Sequence, residues 1–289
     1  MAYVLWGLLP IYWKTLKAAL PTEILAHRMA WSLVFVVALL AFRKNLSWLG
    51  SALRDRRTIL TFGASSMLLT LNWGIYIWAV NNNHIVETSL GYFIAPLLIS
   101  LLGVVFLGER LRPLQIAAFL CALFGVLWLT FSHGEFPWIA LSLAATWGVY
   151  GLIRKTAKLG SLQGLTVETL VVLPLAIGYL IYLEASGVGT FGDSFGFSLL
   201  LAFAGVATAI PLLLFASAAR RVTLTTVGLM QYIAPTIQYL IGTMIYGEIV
   251  SGAKLVGFAM VWIGLLIYSA EAVVRSTRIA GAGQAAPAE

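Results

Sequence analysis

Long apolar runs are the feature of this sequence that most constrains its fold. A helix needs about 20 predominantly apolar residues to cross a hydrocarbon core of about 30 Å. The chain contains ten runs of about this length, at residues 2–19, 22–42, 59–80, 86–107, 114–131, 137–153, 162–183, 195–218, 223–246 and 253–273. Helices of a soluble domain need a polar face toward water, which these runs do not provide. The sequence therefore predicts an all-α polytopic membrane protein with ten transmembrane helices.

The composition excludes an ordinary soluble domain. Charged residues make up 10% of the 289 residues, whereas soluble proteins carry about 25%. The single cysteine, Cys121, cannot form a disulfide within the chain. Because the sequence contains no motif for a metal site or a nucleotide, we expect no metal and no cofactor.

Basic residues are concentrated in every second loop. The loops after even-numbered runs and the carboxyl terminus carry most of the 18 Lys and Arg residues, namely Arg43, Lys44, Arg54, Arg56, Arg57, Arg110, Arg112, Arg154, Lys155, Lys158, Arg220, Arg221, Arg275 and Arg278. The opposite loops carry acids such as Glu87, Glu135 and Glu184. The positive-inside rule therefore predicts that both termini are cytoplasmic. A nucleic-acid surface would need a basic domain outside the membrane, so the expected partners are the lipid bilayer and a small-molecule substrate, and not nucleic acid.

The chain also contains an internal duplication. Residues 93–96, Phe-Ile-Ala-Pro, recur 139 positions later at 232–235 as Tyr-Ile-Ala-Pro, and Gly125 matches Gly264 at the same shift. Each half holds five apolar runs. Because five is odd, the halves enter the membrane from opposite sides, which predicts inverted repeats related by a pseudo-two-fold axis in the membrane plane.

The duplication divides the chain into a first repeat at 1–131, a second repeat at 134–273 and a tail at 274–289. The tail, ending in small and polar residues, is expected to be disordered and cytoplasmic. A Trp-Gly pair at 6–7 matches one at 147–148, but far fewer residues precede it in the first run than in the sixth. We therefore expect the first repeat to be truncated and the natural chain to start upstream.

Inverted repeats are typical of carriers, because a site between two such halves can open to either side in turn. A membrane-embedded enzyme is the alternative from another class. An intramembrane aspartyl protease would need a pair of aspartates at one site. The two aspartates of the sequence, Asp55 and Asp193, are predicted to lie in loops on opposite sides of the membrane, which excludes this enzyme. No His-Glu-x-x-His, P-loop or Gly-x-Ser-x-Gly motif is present, so we expect no enzymatic activity. Ten helices can enclose a pathway, so a monomer is sufficient, although the sequence leaves the oligomeric state open.

Charged residues within the second run are the first candidates for a coupling or recognition site. Glu23, His27 and Arg28 lie near its outer end, where each charge is costly to insert. Glu23 and His27 are four residues apart and share a helix face. The functional hypothesis is proton coupling or recognition of a carboxylate by Arg28. The alternative is a paired cluster that locks the first and second helices together.

Glu168 and Lys14 are further charged candidates. Glu168 lies about six residues inside the seventh run and is a candidate proton or substrate site, unless it pairs with Arg154, Lys155 or Lys158. Lys14 falls on the outer side, where the positive-inside rule gives it no role. Either it lines an outer vestibule, or it extends its side chain to the membrane interface.

Polar side chains inside the apolar runs must face other helices or a cavity. Asn72 and Tyr76 share one face of the third run, and Gln231 and Gln238 share one face of the ninth. They are candidate substrate contacts, with hydrogen bonding between helices as the alternative. Pro96 and Pro235 each remove a hydrogen bond within a helix and are expected to kink it near the middle of the membrane.

Aromatic residues lie both at the ends of the runs and deeper within them. The deeper ones include Trp6, Trp73, Tyr92, Trp147 and Tyr150. Their position on repeat-related helices predicts an apolar cavity in which an amphipathic small molecule stacks on aromatic rings. Packing between helices is the alternative for each.

Several segments together resemble RarD-type permeases of the EamA family, within the drug/metabolite transporter superfamily. They are residues 3–10 (YVLWGLLP), 12–14 (YWK), 23–28 (EILAHR), 71–82 (LNWGIYIWAVNN), 89–94 (SLGYFI) and 231–235 (QYIAP). The resemblance covers nearly the whole chain. One departure is Ala95, which stands where the family motif is expected to have Asn.

The resemblance implies a carrier of the bacterial inner membrane built from two EamA repeats. Members are often described as chloramphenicol-sensitivity or resistance permeases, and relatives export amino acids and other metabolites. The expected function is therefore export of small amphipathic or aromatic metabolites or drugs by alternating access, with proton coupling as an open question. Facilitated diffusion of an amino acid or metabolite is the alternative.

Overall fold

A computed structural model describes residues 1–42, 44, 46–108, 112–133, 136–219 and 231–284. These residues form helices joined by short connections, with no strand among them. The helices are α1 (Ala2–Thr15), α2 (Pro21–Phe42), α3 (Leu49–Arg54), α4 (Arg56–Asn81), α5 (Ile85–Leu107), α6 (Pro113–His133), α7 (Trp138–Thr156), α8 (Ser161–Ala185), α9 (Phe195–Ala219), α10 (Ile233–Leu240) and α11 (Gly252–Gln284). A single π-helical turn, Ile241–Ile245, continues α10.

The helix bounds follow the apolar runs. In α2 and in α4 to α9, both ends lie within a few residues of the predicted limits. Helix α1 ends at Thr15, earlier than expected, and the short helix α3 was not predicted. Outside the described residues lie the start of the ninth run, at 223–230, and the loop residues Arg43, Arg110, Glu135, Arg220 and Arg221.

Six helices of the described chain are long and apolar enough to cross a membrane: α2, α4, α5, α8, α9 and α11. Shorter apolar segments cover Pro113–Trp128 in α6 and Ile233–Ile245. Large apolar side chains such as Leu175 and Leu266 are exposed on the outside of the bundle. A bundle with an apolar surface is stable in lipid, and the chain is a polytopic, all-helical membrane protein.

Acidic side chains cap two helices. The Asp55 carboxylate accepts hydrogen bonds from the Thr58 hydroxyl at 2.6 Å and from the Arg57 backbone amide at 3.1 Å, which starts α4. The Thr58 hydrogen bond is the main cause that lowers the pKa of Asp55. Glu248 reaches across the bundle to the start of α5, where its two oxygens accept the backbone amides of Ile85 and Val86, each at 2.8 Å. A carboxylate is stabilised at that end of a helix by the unpaired amides and the helix dipole.

Helices α6 and α11 pack closely along their length. A Cβ atom added at Gly125 of α6 would lie 2.8 Å from the carbonyl oxygen of Gly257, and one added at Gly264 of α11 would lie 2.6 Å from the carbonyl oxygen of Ala118. Only glycine permits such an approach, because the opposing atoms belong to backbone that cannot rotate away.

The last helix is longer than the sequence predicts. A disordered tail was expected from residue 274, but α11 continues to Gln284. The prediction is wrong for residues 274–284, which contain no proline and include two Ala and two Arg, both good helix formers. Residues 285–289 lie outside the described part of the chain.

Candidate functional site

A cavity of about 490 Å³ lies inside the helix bundle. It is lined by residues from α1, α2, α4, α5, α7, α8, α9 and α10, together with Leu159 and Gly160 of the turn between α7 and α8. Its volume falls within the range of small-molecule sites, about 300–1,000 Å³. Most of its lining is apolar or aromatic.

Eight of the nine predicted substrate contacts, all within the described residues, line this cavity: Trp6, Trp73, Tyr76, Tyr92, Trp147, Tyr150, Gln231 and Gln238. Arg28 and Pro235 also line it. The fold thus brings together side chains from both halves of the duplicated sequence. Their contact with a substrate stays a prediction.

Asn72, the ninth predicted contact, lies behind the cavity wall. Its amide nitrogen donates to the carbonyl oxygen of Leu143 at 3.0 Å and to the hydroxyl of Thr146 at 2.8 Å. Its amide oxygen accepts the Tyr92 hydroxyl at 3.2 Å. Asn72 therefore links α4 to α7 and fixes the orientation of Tyr92.

Aromatic rings form a continuous wall along the cavity. The ring centroids of Tyr76 and Tyr92 are 5.7 Å apart, those of Tyr92 and Trp147 are 6.4 Å apart, and those of Trp147 and Tyr150 are 5.5 Å apart. The first two pairs meet edge to face, a favourable geometry for aromatic rings. Such a wall presents both ring faces and ring edges to an apolar or planar molecule.

Arg28 is the charged residue of α2 that reaches the cavity. Its side chain is 3% exposed. The guanidinium carbon lies 3.7 Å from the ring centroid of Trp73 and 5.1 Å from that of Trp13. These cation–π contacts hold the guanidinium in place within an apolar surrounding.

Glu168 is buried on α8, beside the cavity wall. It accepts the Ser65 hydroxyl at 2.7 Å and the Tyr150 hydroxyl at 3.5 Å, and its Oε1 lies 3.8 Å from Nη1 of Arg154. Tyr150 and Arg154 line the cavity, whereas Glu168 does not. Of the alternatives left open by the sequence, pairing with Arg154 is present, and a hydrogen-bonded route joins Glu168 to the wall through Tyr150.

His27 and Glu23 lie apart from the cavity lining. Their nearest nitrogen and oxygen are 4.0 Å apart. Glu23 accepts the backbone amide and the hydroxyl of Thr190, at 2.8 and 3.1 Å. The His27 ring stacks on Phe191 with centroids 4.7 Å apart. Both residues thus attach α2 to the connection between α8 and α9. A role of this cluster in coupling stays a prediction.

Lys14 and Pro96 likewise lie outside the cavity lining. Lys14 donates to the side-chain oxygen of Asn83 and lies 4.8 Å from the ring centroid of Tyr246. It joins the carboxyl end of α1 to the α4–α5 turn. Pro96 lies within α5, which is continuous through it, whereas Pro235 lies in the first turn of α10.

A cluster of buried apolar side chains adjoins one end of the cavity. Trp13 of α1, Ile77 of α4 and Leu143 of α7 belong to it, each one or two turns beyond a cavity-lining residue of the same helix. All three side chains are inaccessible to solvent. The lining extends in the other direction to the α7–α8 turn, so the two ends of the cavity differ.

Sequence reasoning missed the apolar part of the lining, which includes Leu9, Leu69, Ile99, Leu165, Leu212 and Leu213. Helical spacing contains a usable signal for some of it. Leu69, Trp73 and Tyr76 share one face of α4, and Trp147, Tyr150 and Arg154 share one face of α7. Among the described residues, no group of three His, Cys, Asp or Glu side chains could hold a metal ion.

The chain is similar to other proteins over almost its full length. Residues 1–131 match the model of the EamA-like transporter family. Protein RarD of Streptomyces exfoliatus is 44% identical over 96% of this chain and 88% of its own length. The chain belongs to the EamA family. The RarD resemblance seen in the sequence is thereby confirmed, and the protein is a RarD-type EamA permease.

Other similarities agree with this assignment. An uncharacterized transporter of Bacillus subtilis, YojE, is 43% identical over 93% of this chain and 91% of its own length. A protein of known crystal structure has the same fold, with a TM-score of 0.61 at 22% identity and 94% of each chain covered. The name of the family and that of YojE point to a transporter rather than to an enzyme. This EamA protein is a multi-pass membrane transporter of bacterial type.

Proposed function

We propose that this EamA protein is a secondary transporter that exports small amphipathic or aromatic metabolites or drugs by alternating access. The observation that carries the proposal is the aromatic cavity, which is lined by residues from both halves of the sequence and adjoins buried apolar side chains at one end. A carrier needs such a site, reached from one side at a time.

Two inverted five-helix repeats are the architecture that we propose for it. In support, Gly125 approaches residues 257–261, while Gly264 approaches residues 118–122. The two glycines are 139 positions apart. Gly264 approaches residues 118, 121 and 122, and Gly125 approaches the residues 139 positions after these, 257, 260 and 261. Such reciprocal contacts are expected across a two-fold axis. Along α6, residues 118–122 lie beside Gly264, and the later residue Gly125 lies beside the earlier residues 257–261 of α11. The two helices therefore run antiparallel.

A second pair of glycine contacts supports the same symmetry. A Cβ added at Gly7 of α1 would lie 2.7 Å from Cβ of Ile237, and one added at Gly148 of α7 would lie 3.2–3.5 Å from Leu98 and Leu102. Gly7 and Gly148 are repeat-related, as are Leu98 and Ile237. The contact of α1 with α10 thus has its counterpart in the contact of α7 with α5.

The direction of opening follows from topology. Basic loops after even-numbered runs support cytoplasmic termini and an inner-membrane location. The α7–α8 turn is one of these loops, so the cavity in this conformation opens to the cytoplasm, and the apolar cluster closes it toward the outside. An exporter loads its substrate in this state.

Proton coupling through Glu168 and His27 is part of the proposal. Glu168 accepts a hydrogen bond from Tyr150, which lines the cavity, and forms an ion pair with Arg154. A proton on Glu168 would weaken that ion pair, and substrate in the cavity would contact the same tyrosine. His27 lies near the start of α2, where its ring stacks on Phe191 of the α8–α9 connection.

The test is transport by purified protein in liposomes, using aromatic amino acids, small amphipathic metabolites and chloramphenicol, with and without a pH gradient. Saturable efflux that responds to the gradient is the expected result. Saturable efflux that ignores the gradient would replace coupled export by facilitated diffusion. No saturable movement of any compound would contradict the proposed substrate class.

A further inference from the structure

Among the residues that the structure describes, no acidic side chain pairs with a buried arginine of the cavity. Arg28 is 3% exposed, and none of the ion pairs among the described residues includes it. Its Nε and Nη1 atoms are buried without a hydrogen-bond partner in that part of the chain. Burying a charge without a partner costs free energy, so an anionic group that pairs with Arg28 gains binding free energy.

The surroundings of the guanidinium restrict how a partner can approach. Trp73 lies over it at 3.7 Å, and Trp13 lies further away at 5.1 Å. The N–H groups of a guanidinium point outward in its plane, so stacking on an indole leaves them free. A ligand must therefore meet Arg28 at its edge. A carboxylate suits this edge, because its two oxygens match two parallel N–H groups.

Other unpartnered polar atoms line the same cavity. The hydroxyl of Tyr76 is buried and has no partner among the described residues, and the same is true of Oε1 of Gln238. The hydroxyl can donate a further hydrogen bond to an anion, and the amide oxygen can accept one from a donor elsewhere on the ligand. Buried polar groups of this kind are normally satisfied, so their place in the cavity indicates a polar ligand.

We infer that the cavity takes a small organic anion, with a carboxylate at the edge of Arg28 and an apolar, planar body against the aromatic wall. This inference rests on the proposed transport function and names its substrate class. A neutral ligand of the same shape would leave the guanidinium unpaired. A cationic ligand would be repelled by it.

The test compares three molecules of nearly equal shape: phenylacetate, phenylacetamide and phenethylamine. Their binding to the purified full chain is measured by isothermal titration calorimetry. We expect phenylacetate to bind at least about tenfold more tightly than phenylacetamide, since truncating a charged pair usually costs more than this. Equal affinities, or no binding of phenylacetate, would overturn the inference without any variant being needed.

Variants then assign the preference to one side chain. Arg28→Gln is expected to weaken phenylacetate binding about 30-fold and phenylacetamide binding much less. Arg28→Lys keeps the charge but loses the planar fork, so it should retain part of the preference. Lys254→Gln is the matched control, because it removes a positive charge that pairs with Glu87 at 3.8 Å, away from the cavity. A preference for phenylacetate that persists in Arg28→Gln would overturn the inference.

Liposome transport separates this inference from the function on which it rests. Equal, saturable transport of the anion and the amide would leave the carrier in place and remove the anion site. Selective binding of phenylacetate with no transport of any compound would support the anion site and contradict the carrier.

Discussion

The contact between α6 and α11 predicts a loss of stability from the smallest possible side-chain change. Gly264→Ala would place a methyl group 2.6 Å from the backbone oxygen of Ala118, and Gly125→Ala would place one 2.8 Å from that of Gly257. Neither oxygen can move without shifting its helix. Both substitutions should therefore separate the two helices and destabilise the protein.

Two terms set the magnitude. Replacing glycine by alanine within a helix is favourable by about 1 kcal/mol. Inserting a methyl group into a packed contact costs about 1–3 kcal/mol. The sum is a loss of about 0–2 kcal/mol of unfolding free energy, larger at Gly264, where the contact is shorter. Gly178→Ala is the matched control, because it lies in α8 with no atom within 4 Å of the added Cβ. It should be neutral or stabilising.

Equilibrium unfolding of the purified protein in mixed detergent and SDS micelles, followed by circular dichroism, measures these differences. The two packed variants should fall about 1–3 kcal/mol below Gly178→Ala. Variants as stable as this control would refute the close approach of α6 and α11. An effect at only one of the two glycines would refute the reciprocal contact on which the two-fold argument depends.

Three further predictions concern coupling, recognition and helix capping. Glu168→Gln and His27→Ala should each abolish the pH-dependent component of transport and leave the protein folded, as measured by efflux at several gradients. Trp73→Ala and Tyr92→Ala should weaken substrate binding about tenfold, because each removes a ring from the cavity wall; calorimetry measures the change. Glu248→Ala should lower the unfolding free energy by about 1–2 kcal/mol, because it removes two hydrogen bonds at a helix start; thermal unfolding measures the loss.

The coupling and recognition predictions each have a control elsewhere in the chain. Glu184→Gln neutralises an exposed acid at the end of α8 and should leave the pH dependence intact. Trp138→Ala removes an aromatic side chain that is 46% exposed and outside the cavity, so substrate affinity should not change. Unaltered pH dependence in both coupling variants would remove coupling from the account. Wild-type affinity in both aromatic variants would assign the rings to packing, and unchanged melting of Glu248→Ala would show that the cap contributes little.

Hydropathy alone located most helices, because a membrane-crossing helix is defined by its own residues. The bounds of α2, α5 and α9 agree with the apolar runs almost to the residue. The short helix α3 lies in a connection where no apolar run gives a signal. The end of α11 was missed because residues 274–284 are mostly small and polar, a composition that is also typical of a disordered tail.

The cavity was predictable in its aromatic part, because large rings deep within repeat-related helices must meet near the bundle axis. The role of Asn72 was not predictable. A buried amide must face inward, but only the fold shows that Thr146, from another helix, provides its partner. The pairing of Glu168 with Arg154 was not predictable either, because the angle between α7 and α8 decides which basic side chain can reach it.

Counterflow in liposomes is the most direct test of the carrier mechanism. Liposomes loaded with a high concentration of an unlabelled substrate are diluted into a trace of the same labelled compound. A site that opens to one side at a time predicts transient accumulation of label inside, and Trp73→Ala should reduce this accumulation. Label that only equilibrates, with no accumulation in the wild type, would contradict alternating access.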